Sequence, residues 1–141
     1  MNRDIEAIVL HCSATPEGRY YDTEDIRDWH VNGRGWSDVG YHFVVLLDGT
    51  IEEGRPIYRA GAHVKGHNHN TIGICYIGGV DDYHDPKDTL TDAQELAIET
   101  LVCELRDEYG DDIEFKGHRD FPGVRKACPC FDVHEKFDYL M

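Results

Sequence analysis

Short apolar runs alternate along the chain with polar, Gly-rich stretches, and one long amphipathic segment follows, a pattern that separates strands from helices. Glu6–Cys12 is a β-branched and aliphatic run of strand length that ends at His11-Cys12. Asp22–Asn32 reads as a helix that Asp22 or Thr23 caps. It turns Ile26, Trp29 and His30 to one face, and Gly33 stops it. Gly40–Leu47 predicts a second strand, Asp48-Gly49 a two-residue turn, and Thr50–Arg55 an antiparallel return. Gly61–Asn70, rich in Gly, His and Asn, reads as a loop. An apolar strand over Thr71–Ile77 follows and ends at Gly78-Gly79.

Downstream, the acidic segment Val80–Thr89 predicts a surface loop. Thr91-Asp92-Ala93-Gln94 fits a capping box and opens a helix to about Tyr109, with Ala93, Ala97, Leu101 and Leu105 as its apolar stripe. Ile113–Lys116 predicts a last strand, then an irregular stretch through Cys130 and a short helix from Asp132. With no repeat or linker, residues 1–141 read as a single α/β domain: a mixed central β-sheet with flanking helices.

Charge narrows the partners. The chain carries 14 Lys+Arg against 28 Asp+Glu, a net charge of −14, which disfavours nucleic acid and anionic membrane surfaces. The acidity is local: residues 81–112 hold 2 basic and 12 acidic residues, whereas 61–80 and 113–134 each carry a net +1. The apolar run Ala7–Leu10 is too short for a secretory signal or a spanning helix. The expectation is a protein made in the cytoplasm without a signal peptide and without membrane insertion. Five cysteines, an odd count without small-scaffold spacing, fit a reducing compartment, and Cys12, Cys75 and Cys103 lie in apolar segments that predict buried thiols.

Nine histidines offer several candidate sites. His30 reads as packed or half-exposed, His42 as packed or facing solvent, and His84 and His134 as solvated. His63, His67 and His69 crowd one loop, whose composition suits contact with substrate better than a rigid metal cluster. A more selective set is spread along the chain. His11 ends the first strand, His118 follows the last, and Cys128 stands ten residues further on. Two histidines and a thiolate suffice for catalytic zinc with the fourth position open. Pro129 biases Cys128 towards an extended conformation, in which Lys126 and Cys128 point to the same side and an ammonium stands ready for an oxyanion.

Five motifs occur in order: His11-Cys12-Ser13-Ala14-Thr15, Gly35–Phe43 with its Gly-Tyr-His-Phe ending, Gly61-Ala62-His63, Asn68–Ile74, and Gly117-His118-Arg119-Asp120 with Lys126-Ala127-Cys128-Pro129. Together they resemble the amidase-type bacteriophage lysozymes, zinc-dependent N-acetylmuramoyl-L-alanine amidases (type 2 amidases) related to peptidoglycan recognition proteins, over about residues 6–135. The resemblance implies one catalytic Zn2+ on His11, His118 and Cys128, with Tyr41 and Lys126 catalytic. His63 and, less directly, Asn70 are implied to meet substrate. Cys130 is the fallback ligand. Also implied are peptidoglycan as the partner, a monomer, and action on the bacterial cell wall after release from the cell. The rival readings are a module that binds peptidoglycan without cutting it, and a structural zinc with Cys130 as fourth ligand.

Overall fold

A computed structural model describes residues 3–141. β1 (Ala7–Cys12) lies between β5 (Thr71–Tyr76) and β7 (Glu114–Gly117), parallel to both. β3 (Phe43–Val45) runs parallel to β5, and β4 (Ile51–Glu53) pairs antiparallel with β3, giving the order β4-β3-β5-β1-β7. The mixed sheet predicted from the sequence is therefore present. A two-stranded ribbon of β2 (Thr15–Pro16) and β6 (Gly79–Val80) extends β1 and β5 beyond their ends. Strands this short carry no periodicity, and the sequence reading missed them.

β1 and β5 are buried along their whole length on both faces, as expected for parallel strands between two layers. Ile8, Leu10, Ile72, Ile74, Tyr76 and Phe115 face α2 (Asp92–Tyr109) and α3 (Val133–Lys136). Across the sheet, Val44, Cys75 and Ile77 pack on Ile26 of α1 (Thr23–Asp28), and Val9 packs on Val64 and Phe121. Side-chain alternation thus puts Val9 and His11 on the face opposite α2.

The predicted helix signals hold at both long segments. Asp22 and Asp25 close a capping box on α1, and Thr91 and Gln94 do the same on α2. Gln94 is fully buried, and its Nε2 also donates to the Ile77 carbonyl at 3.0 Å, tying the helix start to the end of β5. Three details differ from expectation. The chain leaves α1 through a π-helical turn, Trp29–Gly33, and this wider turn carries Trp29 out to pack edge-on against Tyr21 while His30 stays buried. Ala93 and Cys103 of α2 are exposed, because the buried face runs through Gln94, Ala97, Ile98, Leu101, Val102 and Leu105. The strand expected over Gly40–Leu47 makes ladder pairs only at Phe43–Val45. Before it, Gly40 and Tyr41 accept from the loop amides of Ala62 and Arg55.

Buried polar side chains hold those loops over the sheet. Arg55 donates to the carbonyls of Val39, Ala60 and Asp38. His42 Nδ1 accepts from Gly73 N, so its Nε2 carries the proton and donates to the Arg59 carbonyl at 2.8 Å. Burial pushes the His42 imidazole down to about 4. A histidine near 6.5 when unfolded and held neutral when folded destabilises the fold as pH falls from 6.5 towards 4, by of order 3 kcal/mol at the lower limit. The expected result is a His42 proton resonance that stays flat between pH 8 and about 5. A titration near the ordinary histidine value would remove this contribution.

Candidate active site

Parallel pairing of β1 with β7 sets Leu10 beside Gly117, so the residues that follow, His11 and His118, emerge together at the same end of the sheet. Their rings lie 4.6 Å apart. Cys128 reaches them from the loop after β7. Arg119 N donates to the Cys128 carbonyl at 2.9 Å, and Cys12 N donates to its Sγ at 3.2 Å. These contacts place the sulfur 3.8 Å from His11 Nδ1, and the ligand atoms of His11, His118 and Cys128 all lie within 4.8 Å of one another. Nitrogen and sulfur ligands of one tetrahedral zinc stand roughly 3.6 Å apart, so the donor set and its spacing fit such an ion. Burial, reinforced by neighbouring histidines and Lys126, pushes His11 well below its ordinary value, and burial lowers His118 as well. Both rings are therefore neutral at neutral pH, the form that binds metal.

Among the described residues no other group of three such side chains could hold a metal. The loop histidines separate: His63 is buried against His11, His67 stacks on Phe121 at 4.8 Å, and His69 is exposed. Cys130 does not join the ligands. Its backbone is left-handed at φ 75°, and its Sγ lies 3.7 Å from Cys12 Sγ. Where the sequence suggested an extended run, the chain turns at Cys128–Pro129, with Cys130 N donating to the Ala127 carbonyl at 2.6 Å, and the peptide between Cys128 and Pro129 is cis.

Beside this group opens a cleft of about 620 Å³, lined by Trp36, His63, Asn68 and His118 and by the cations Lys65, Arg125 and Lys126. Among the described residues no acidic one lines it. Tyr41 also stands against His11, with ring centroids 5.0 Å apart. It borders a smaller hollow of about 120 Å³ with Ser13, His30 and Arg34. His30 Nδ1 accepts from Gly40 N at 2.9 Å and so fixes the backbone before Tyr41. Burial pushes the Tyr41 phenol well above its ordinary value, which keeps it a neutral O–H donor.

Six of the seven residues singled out from the sequence gather here: His11, Tyr41, His63, His118, Lys126 and Cys128. Asn70 lies elsewhere. It precedes β5 at the opposite end of the strands from His11, and its Nδ2 donates to Glu6 at 2.7 Å. The asparagine of the cleft is Asn68, whose Oδ1 accepts from His63 N and Val64 N. Asn68 and Arg55 were missed because their roles are contacts to backbone, which leave no pattern in sequence.

The sequence profile described as N-acetylmuramoyl-L-alanine amidase matches residues 1–131. The endolysin of Enterobacteria phage T3 is 42% identical over 128 residues, which cover 91% of this chain and 82% of that protein. Among solved structures, the N-acetylmuramoyl-L-alanine amidase LysC from Clostridium intestinale superposes with a TM-score of 0.79 at 27% identity, covering 97% of this chain and 87% of the other. Bumblebee PGRP-SA superposes at 0.80 and 26% identity, covering 98% and 84%. The chain belongs to the N-acetylmuramoyl-L-alanine amidase family, the type 2 amidases to which peptidoglycan recognition proteins are related. No described helix is long and apolar enough to cross a membrane.

Proposed function

We propose that this chain hydrolyses the amide between the lactyl group of N-acetylmuramic acid and the L-alanine of the peptidoglycan stem, with one zinc held by His11, His118 and Cys128. The observation that carries the reading is a three-residue ligand group, not a closed four-residue one, at the wall of a cationic cleft. His11, His118 and Cys128 would hold the ion, and the chemistry it would supply is Lewis acidity towards the scissile carbonyl and activation of water at neutral pH.

The chain's own residues do the rest. Lys126 places an ammonium beside the ligand group, where it shares the negative charge that develops on the carbonyl oxygen. The neutral phenol of Tyr41, packed against His11, orients the attacking water or hydrogen-bonds the developing oxyanion. Lys65 and Arg125 attract the carboxylates of the stem peptide, and Trp36 offers an apolar wall. Asn70 is left out of this set, because it is not among the residues that line the cleft and its Nδ2 donates to Glu6. The protein acts as a monomeric, single catalytic domain on the bacterial wall after release from the cytoplasm.

Purified sacculi incubated with the protein should gain alanine N-termini, and a chelator should stop their release until zinc is restored. Sacculi that retain the protein but release no alanine amine would replace this reading with that of a binding module.

A further inference from the structure

His63 is more than a wall of the cleft. Its ring is buried, and two glycines make room for it. A Cβ on Gly73 of β5 would stand 2.8 Å from its Cγ, and one on Gly61 would stand 2.7 Å from its Cδ2. In that slot His63 Nδ1 lies 2.8 Å from His11 Nε2, and His63 Nε2 lies 3.2 Å from Thr71 Oγ1. Thr71 Oγ1 lies 2.7 Å from the carbonyl oxygen of His67.

The proton positions along this chain follow from its far end. A backbone carbonyl can only accept, so the Thr71 hydroxyl donates to His67 and its oxygen accepts from His63 Nε2–H. A neutral His63 with its proton on Nε2 has its lone pair on Nδ1, which accepts from His11 Nε2–H. His11 then has its own lone pair on Nδ1, the atom that faces Cys128 Sγ. A carbonyl three hydrogen bonds away thus dictates which nitrogen His11 turns to the ion.

We propose that His63 is a positioning residue for the metal centre, which locks His11 in the tautomer and orientation that offer Nδ1 as ligand. The proposal rests on zinc being held by His11, His118 and Cys128, and it gives His63 a task other than gripping substrate. His11 is itself buried, so its Nε2–H has no solvent to turn to when His63 is removed. Loss of such a supporting partner weakens metal affinity by about 10–100-fold in comparable sites.

The test compares zinc affinity, by competition with a chromogenic chelator, in the unaltered protein and in His63→Leu, His63→Gln and Thr71→Val. Absorption spectra of the cobalt(II) forms give a second readout of ligand geometry. His63→Leu should lose affinity by about 10–100-fold and shift the cobalt bands. His63→Gln, whose amide oxygen can accept from His11, should recover much of both. Thr71→Val keeps shape but removes the hydroxyl that orients His63, and it should lose affinity in the same direction. Zinc affinity in His63→Leu within about twofold of the unaltered protein overturns the proposal. So does an equal loss in His63→Leu and His63→Gln, which assigns the effect to packing. If His63→Leu does not fold, Thr71→Val decides alone, and an unchanged affinity and cobalt spectrum there overturn the proposal. Hydrolysis does not enter these measurements. A protein that needs His63 for zinc yet fails to cut sacculi refutes the activity and leaves the positioning role standing.

Discussion

Cys128→Ser is expected to abolish hydrolysis and to strip the protein of most of its zinc. A serine hydroxyl stays protonated at neutral pH, so the substitution removes both a soft donor and the one negative charge among the three ligands. The two neutral histidines that remain cannot offset the desolvation of a divalent ion at a half-buried site. The surroundings are also built for sulfur: the Cys12 amide donates to Sγ at 3.2 Å, a distance suited to a large anionic acceptor. The fold should survive, because Cys128 lies in a turn held by its backbone contact to Arg119. Activity should fall by more than about a hundredfold, beyond the usual cost of losing a supporting contact. Full activity with unchanged zinc content refutes the ligand assignment. Cys130→Ala serves as the control and should leave both quantities in place, since the Cys130 thiol rests on Cys12 and not on the ligand group.

Lys126→Ala is expected to give the opposite dissociation of effects, with zinc kept and turnover lost. The ammonium of Lys126 lowers the proton affinity of His11 and His118, so it also opposes a cation bound between them. Its removal therefore does not weaken the metal. What disappears is a preorganised positive charge beside the carbonyl oxygen, and losing one such donor costs about 10²–10³ in kcat. The effect should fall on kcat more than on KM, because the charge it opposes exists only as the tetrahedral state forms. A rate within about twofold of the unaltered protein shows that Lys126 has no such role.

Much of the scaffold was legible from local pattern. β1, β5 and α2 carry either an unbroken apolar run or a capped stripe, and each appears within a residue or so of its expected span. What local pattern could not supply was phase and partnership. Trp29 follows Ile26 at helical spacing, but a π turn at that point breaks the phase on which the inference depends. Gly40 and Tyr41 have strand-like composition, yet their carbonyls accept from the loop amides of Ala62 and Arg55, not from a neighbouring strand.

The site divides in the same way. His11, His118 and Cys128 could be picked out because each stands at an element end inside an ordered motif. The bond between His11 and His63 joins residues 52 apart and depends on two glycines leaving space for a ring. Asn68 and Asn70 are indistinguishable by composition. Only the turn before β5 decides that the first caps the His63 backbone while the second points to Glu6 at the far end of the strands.

The placement of α2 has a consequence for how the molecule meets its target. The 12 acidic residues of the 81–112 segment lie on that helix and its flanking loops, and α2 packs on the Ile8 and Leu10 face of the sheet. Lys65, Arg125 and Lys126 ring the cleft on the other face. The densest acidity and the cations of the cleft thus stand on opposite faces of the sheet. Close to an anionic polymer, this asymmetry exerts a torque that turns the acidic back away and presents the cleft first. Over separations beyond a Debye length of about 8 Å at physiological salt this torque is screened, so it acts in the last stage of approach. Repulsion of the acidic back and attraction at the cleft are then two short-range results of one distribution of charge.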